Sequence, residues 1–280
     1  MHATGNIKLS IITVNLNNCD GLKRTIDSVV SQTFTDFEWI VIDGGSTDCS
    51  RELIEQYKDH FAFWCSEPDN GIYNAMNKGI VHANGEWLLF LNSGDWLAEK
   101  KVLSEVFNTP ISGDIIYGNI YQICDGKIIP IKYSPDLSFS TLFFTTIAHQ
   151  SAFIRKELLF EKKYDEHFRI VSDWKFFIEC SLNRCVFTHK DIFVSYYDDN
   201  GVSSLNRDLV LNERAEAINQ LVPKCIQKDM YDFTEMKRIF ADGQLLEINT
   251  IRNKNRFLHR LTTLNLYILR FFYKLTVRKK

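Results

Sequence analysis

The sequence predicts an α/β fold, a mostly parallel but mixed sheet flanked by helices, followed by a C-terminal helical extension. Three observations predict it. Apolar runs of strand length alternate with amphipathic helical stretches from residue 8 to about residue 97, the rhythm of a parallel sheet with helices on both faces. Short β-prone pieces around Asp125–Gly126 signal a hairpin within residues 113–133, which makes the sheet mixed. Beyond about residue 206 the pattern is helical to the end.

Taken in order, KLSIITV (Lys8–Val14) is a β-branched apolar run and reads as a buried strand. Leu22, Ile26, Val29 and Val30 then share one helical face, with Asp20 placed to cap it. FEWIVI (Phe37–Ile42) is the second strand; Gly44–Gly45 breaks it, and Asp48 caps a helix running to about Tyr57. A short strand at Phe61–Cys65, a loop SEPDNG and a helix near Ile72–Ala83 follow. EWLLFL (Glu86–Leu91) is the strongest central strand and ends in NSGD. Residues 150–200 alternate short strands with a helix around Ser172–Leu182.

A chain of 280 residues suffices for one large α/β domain and an appendage. The cysteines Cys19, Cys49, Cys65, Cys124, Cys180, Cys185 and Cys225 form no C-x-x-C, so no zinc knuckle or dithiol redox site is indicated. The N-terminus lacks a secretory layout, and no uncharged apolar run approaches the ~20 residues that span a bilayer. A reducing cytoplasm is the simplest expected home.

Ligands of open α/β sheets bind outside the carboxyl ends of the strands. Three polar clusters fall there: Asn15–Asn18, Asp43–Asp48 and Asn92–Asp95. The first loop has neither the G-x-G-x-x-G of a dinucleotide dehydrogenase nor the Gly-rich Lys loop of a phosphate-cradling nucleotidase. Asp43 suits a base or ribose, though alone it reads equally as a loop-capping carboxylate. Asp95, after a Gly that lets the backbone approach a ligand, suits a hard divalent cation, though taken alone it reads first as a turn Asp. Mg2+ and Mn2+ take one or two protein carboxylates and complete their shell with phosphate oxygens and water.

Four stretches in order, SIITVNLNN, VIDGGSTDCS, SEPDNGIYNAMNKGI and GEWLLFLNSGDWL, resemble family 2 glycosyltransferases of the GT-A fold, closest to bacterial members that build surface polysaccharides. The resemblance covers residues 7 to about 200. It implies a catalytic domain over residues 1–205, with a nucleotide-sugar half at about 7–100 and an acceptor half at about 101–205, and an extension over 206–280. It implies that Asn15 and Asp43 hold the base and ribose, that Asp69, Gly71 and Ser93 lie on the nucleotide side, and that Asp95 binds the metal. Only one carboxylate remains in Asn92-Ser93-Gly94-Asp95, a departure from the family's more acidic stretch. Asp173 in IVSDWKFF matches the catalytic base, with Ser172 where the family often has Glu. His149 is placed near the diphosphate or acceptor and Trp174 beside the base, where an aromatic face stacks on a sugar; both also read as structural. The loop Tyr197–Ser203 resembles a late family loop near the donor.

The activity implied is inverting, metal-dependent transfer of a hexosyl or N-acetylhexosaminyl group from a nucleotide-diphosphate donor, a UDP-sugar first, to a glycan or polyprenyl-linked acceptor. The alternative is a non-catalytic nucleotide-sugar-binding or scaffold protein on the same fold. Charge adds a further expectation. Nine Lys or Arg and no acid lie between Ile248 and Lys280, leaving a balance of −11 elsewhere. At ~100° per residue, Arg252, Arg256, Arg260, Arg270, Lys274 and Arg278 fall in one stripe opposite Leu258, Leu261, Ile268, Leu269, Phe272 and Leu275. Residues 252–280 therefore read as an interfacial helix on an anionic membrane, the inner face of the plasma membrane, rather than a nucleic-acid binder; the other reading is a helix docked on the catalytic domain with a solvated basic edge.

Overall fold

The computed structural model describes residues 7–109, 111–198 and 206–241, with residues 259–260, 263–264 and 267–268. Leu9–Asn15 (β1) is buried at every position. Phe37–Asp43 (β2) and Trp87–Phe90 (β4) flank it, both parallel to it. Strands covered on both faces need apolar residues on both, hence the unbroken runs in the sequence. Phe63–Ser66 (β3) pairs parallel with β2. Beyond β4 the sheet becomes mixed. Ala152–Arg155 (β8) runs antiparallel to β4 and to Ile115–Cys124 (β6). Phe187–Asp198 (β9) pairs parallel with β6, and Trp96–Leu97 (β5) antiparallel with β9. Lys127–Ile131 (β7) closes a hairpin with β6 through Asp125 and Gly126, both at positive φ. The order is β3-β2-β1-β4-β8-β6-β9-β5.

On one face, Leu22, Ile26 and Val29 of Cys19–Val30 (α1), Ile54 of Ser50–Tyr57 (α2) and Val102, Leu103 and Val106 of Val102–Phe107 (α4) pack on Leu9, Ile11, Trp39, Val41, Trp87 and Leu89. On the other lies Ile72–His82 (α3). Gly79 lets α3 approach so closely that a Cβ there would stand 2.5 Å from Ile12 Cγ2. Phe139–Phe144 (α5), Lys156–Lys162 (α6) and Ser172–Leu182 (α7) complete the second half.

Two caps differ from expectation. Asn18, not Asp20, caps α1, its Oδ1 accepting the Gly21 N–H at 3.1 Å; Asp20 stands one residue inside the helix, in the first turn. Cys49, not Asp48, is the N-cap residue of α2, and Asp48 stands one residue before it. Its Oδ1 accepts the Ser50 N–H at 3.0 Å and its Oδ2 the Cys19 N–H at 2.9 Å, tying two loops together. The same loops are joined covalently by a Cys19–Cys49 disulfide, with Cα atoms 5.6 Å apart. The sequence reading paired no cysteines, because the fold, not the spacing, brings these two together.

The chain divides into residues 1–221 and 222–280. The helix Arg207–Leu221, assigned from sequence to the extension, belongs to the first unit. In the second, Lys224–Ala241 is helical and the Gln227 side chain donates to the Val222 carbonyl at 2.7 Å. Of the basic stripe only Arg260 is described; Arg252, Arg256, Arg270, Lys274 and Arg278 lie outside the described residues, as do positions 199–203 of the late loop. No helix among the described residues is long and apolar enough to cross a membrane.

Candidate active site

Because β2, β1 and β4 are neighbours and parallel, the loops after them open at one edge of the sheet. Asn15 and Asp43 end β1 and β2 in register. Asn15 Nδ2 donates to Asp43 Oδ1 at 2.7 Å, and Asp43 also accepts from the Ser46 N–H at 2.9 Å, Ser46 Oγ at 2.5 Å and Ser66 Oγ at 2.6 Å. Asp43 is 0% exposed. Burial pushes its carboxyl up, but the donors Ser46, Ser66 and Asn15 prevail and hold it below the usual carboxylate range. Asp43 is thus the ionised knot joining the ends of β1, β2 and β3.

Asp69 and Gly71 stand in the adjoining loop. Asp69 Oδ1 accepts the Gly71 N–H at 2.8 Å. Its Oδ2 lies over Gly44, where a Cβ would come within 2.5 Å. Gly71, at φ +115°, occupies a backbone conformation that side chains strain. Asn18 Nδ2 donates to the Ser93 carbonyl at 2.9 Å, linking the β1 loop to the β4 loop. Asn15, Asp43, Asp69, Gly71 and Ser93 therefore share the carboxyl edge of β1–β4.

The turn carrying Asp95 is anchored on α1. Thr25 Oγ1 donates to the Asp95 carbonyl at 2.7 Å and accepts the Gly94 N–H at 3.1 Å. The Asp95 residue is 8% exposed, and its carboxylate accepts no hydrogen bond among the described residues. Burial pushes its pKa up to about 7, His149 and Arg24 opposing and Asp198 adding to the rise. No group of three or more His, Cys, Asp or Glu among the described residues is arranged to hold a metal ion by itself. A buried, unpaired hard oxygen donor with a second carboxylate nearby fits a cation whose remaining ligands are phosphates and water.

Asp173 occupies the first turn of α7. Its Oδ2 accepts from His149 Nδ1 at 2.8 Å; its Oδ1 accepts from the Tyr73 hydroxyl at 2.7 Å and the Trp174 N–H at 2.9 Å. The Asp173 side chain remains 17% exposed. Burial raises its pKa, but the His149 and Tyr73 bonds outweigh this and hold the carboxyl low. Burial lowers that of His149, and Asp173 more than restores it, so the imidazole is raised. His149 Nε2 meets Asn92 Nδ2 at 3.1 Å, and Asn92 Oδ1 is buried without a partner. Turned over, the same amide would offer its oxygen to an Nε2–H, so Asn92 can serve the neutral or the protonated ring.

A line of contacts thus runs Tyr73–Asp173–His149–Asn92 to the turn bearing Asp95. Trp174 is outside it. The ring is 2% exposed, its indole N–H donates to the Leu142 carbonyl at 2.7 Å, and the Arg214 guanidinium stacks on it at 4.6 Å. Of the two readings the sequence allows for this ring, its surroundings are those of packing.

Sequence reasoning missed Tyr73, Asn92 as a partner of His149, and Glu213. Tyr73 and Asn92 lie inside recognised motifs, where a polar atom on a buried helix face or strand end was the available signal. Glu213, in the helix Arg207–Leu221, accepts the N–H groups of Arg169, Ile170 and Val171 at 2.8, 3.0 and 3.3 Å, and so holds the loop leading into α7. Nothing local announces that role.

Residues 10–177 match the profile described as glycosyl transferase family 2. The chain belongs to this family. Among its relatives, an uncharacterized glycosyltransferase of Mycobacterium tuberculosis, Rv1514c, is 33% identical over 181 residues, covering 62% of this chain and 69% of the relative. A PGL/p-HBAD biosynthesis glycosyltransferase of Mycobacterium bovis is 30% identical over 201 residues, covering 69% and 77%. In fold, this family 2 glycosyltransferase resembles S. aureus TarS 1-349 in complex with UDP, with TM-score 0.62, 20% identity and coverage of 89% and 75%. It also resembles the mannosyltransferase PcManGT from Pyrobaculum calidifontis in complex with GDP-Man and Mn2+, with TM-score 0.57, 13% identity and coverage of 95% and 86%. The mixed sheet flanked by helices is the GT-A fold.

Proposed function

We propose that the chain is an inverting hexosyl- or N-acetylhexosaminyltransferase that uses Mg2+ or Mn2+. It moves a sugar from a nucleotide-diphosphate donor, a UDP-sugar first, to a hydroxyl of a glycan or polyprenyl-linked acceptor in surface-polysaccharide assembly. The observation that carries this reading is the hydrogen-bonded line from Asp173 through His149 to Asn92, three residues before Asp95. It links a held carboxylate to the turn that carries an unpaired one.

In this reading Asp173 takes the acceptor hydroxyl's proton as the oxygen attacks the anomeric carbon from the side opposite the diphosphate. His149 keeps Asp173 oriented. Asp95, with Asp198 nearby, would hold the cation, which when bound neutralises charge gathering on the leaving diphosphate. Asn15, Asp43, Asp69, Gly71 and Ser93 bind the nucleotide, Asp43 through the loops it fastens. The donor class is supported by fold neighbours in complex with UDP and with GDP-Man and Mn2+. The basic segment 252–280 would bring the enzyme to the anionic inner face of the plasma membrane.

The test is a panel of UDP-, GDP- and dTDP-sugars with and without Mn2+, read by melting temperature, nucleotide release and the anomeric configuration of the product. A UDP-sugar should raise the melting temperature and release UDP only with the cation, giving the inverted anomer. Wild-type turnover in Asp173→Asn, or retained configuration, would sink the mechanism. Tight donor binding with no turnover on any acceptor would show a scaffold instead.

A further inference from the structure

The Tyr73 hydroxyl has one proton and two acceptors, the Ile170 carbonyl at 2.6 Å and Asp173 Oδ1 at 2.7 Å. A phenolic O–H serves one of them at a time. The carbonyl never donates, so the charge on Asp173 decides the partner. An ionised carboxylate is the stronger acceptor; a protonated one loses that advantage to the carbonyl. The proton can change sides by rotation about one C–O bond, with no heavy atom moving. Both alternatives are held in place. The Tyr73 ring is 4% exposed and packs against Tyr164 with centroids 5.5 Å apart. Ile170 is fixed by Glu213, which accepts its N–H at 3.0 Å.

We propose that Tyr73 is a positioning residue of the transfer reaction, its hydroxyl donating to ionised Asp173 and turning to the Ile170 carbonyl as Asp173 takes up the acceptor's proton. The inference rests on the reading of Asp173 as the base. The acceptor's O–H proton passes to Asp173 Oδ2, which accepts only the His149 bond among the described residues and has a lone pair left. The alcohol oxygen forms its bond to the anomeric carbon, the bond from that carbon to the diphosphate breaks, and its electron pair leaves with the diphosphate. Tyr73 keeps its own proton throughout. The device holds the base charged inside a buried site before reaction and stops stabilising that charge once it is gone.

The charged and titratable groups facing Asp173 are His149 from the turn before β8, Tyr73 from α3, Tyr164 from the loop after α6, and Arg214 from the helix Arg207–Leu221. Asp95 acts on His149.

The test compares wild type, Tyr73→Phe and Asp173→Asn, measuring kcat and kcat/KM against pH with saturating Mn2+. Phenylalanine keeps the ring and its packing. Losing one hydrogen bond to a charged group predicts a fall in kcat of about 10-fold or more. The donor KM should stay, and the acid limb of kcat/KM should move to higher pH. A wild-type limb and kcat in Tyr73→Phe, with Asp173→Asn inactive, overturns the role of Tyr73 alone. Full turnover in Asp173→Asn overturns the base reading and this inference with it. Should Tyr73→Phe fail to fold, 3-fluorotyrosine placed at position 73, a stronger donor of nearly equal size, should move the limb to lower pH; an unmoved limb overturns the proposal.

Discussion

Asp43 and Asp173 are both carboxylates held by protein donors, and they are held differently. Asp43 accepts four hydrogen bonds from residues 28, 3, 3 and 23 positions away in sequence. Asp173 accepts three, from residues 100, 24 and 1 positions away. The first region is built from consecutive parallel strands whose loops meet at once. The second is assembled from α3, the turn before β8 and α7, with Glu213 reaching in from the helix Arg207–Leu221. The Asp43 region is a local, saturated knot; the Asp173 region depends on parts distant in the chain. If the two regions are separable, damage to one should leave the other's property intact.

The largest effect expected is on turnover. Asp173→Asn should lower kcat by about 10^3-fold while calorimetry finds the affinity for a UDP-sugar unchanged. A tenfold loss of that affinity would break the separation. Next comes Asp43→Ala, which strands the donors of Asn15, Ser46 and Ser66 in a buried place. It should cost about 3 kcal/mol in urea unfolding and weaken donor binding with it. A loss below about 1 kcal/mol would mean that the knot is dispensable.

A subtler effect concerns pH. The folded Asp173 is depressed below its ordinary 3.8, so its contribution to stability is present above that value and fades as pH falls through the folded pKa. The folded His149 is raised above its ordinary 6.5, so its contribution is complete below that value and is lost as pH rises through the folded pKa. The stability difference between wild type and a His149→Asn, Asp173→Asn double variant should therefore be widest between about pH 4 and 6.5. A difference that is flat across pH 3 to 8 would show that the pair does not titrate as a unit. The smallest effect belongs to Trp174→Phe. Losing the bond to Leu142 should cost about 1 kcal/mol and leave acceptor KM alone; a raised acceptor KM would return the ring to the sugar site.

The same contrast explains what could be read from sequence. Asn15 and Asp43 end strands, and Asp69, Gly71, Ser93 and Asp95 fall in the loops that follow strands, where a strand's polarity change announces a ligand edge. The mixed sheet was legible for the same reason, from apolar runs and the Asp125–Gly126 hairpin. Asp173 was legible as a helix-start carboxylate within a recognised stretch. Its partners were not, because a contact between Tyr73 and Asp173 has no footprint at either position. Glu213 lies in a mostly polar helix that reads from sequence as part of an appendage, and only the fold shows its carboxylate accepting three backbone N–H groups. Trp174 reads from sequence as a sugar platform or as packing, and neighbouring positions on a helix point in different directions: the Asp173 carboxylate meets His149 and Tyr73, and the next ring meets Leu142.

The bond between Cys19 and Cys49 closes a covalent ring that contains α1 and β2. A protease cutting within it, at the exposed Thr35–Asp36 segment, would leave both fragments on one molecule, and mass spectrometry would find them separated only after a thiol is added. Cys49 is exposed, so a small thiolate can attack there and open the ring. For residues 30 apart in sequence the ring restricts the unfolded chain by about 3–4 kcal/mol in the chain-entropy treatment. One polypeptide is then expected to melt at two temperatures, the lower one in buffers that resemble a reducing cell interior.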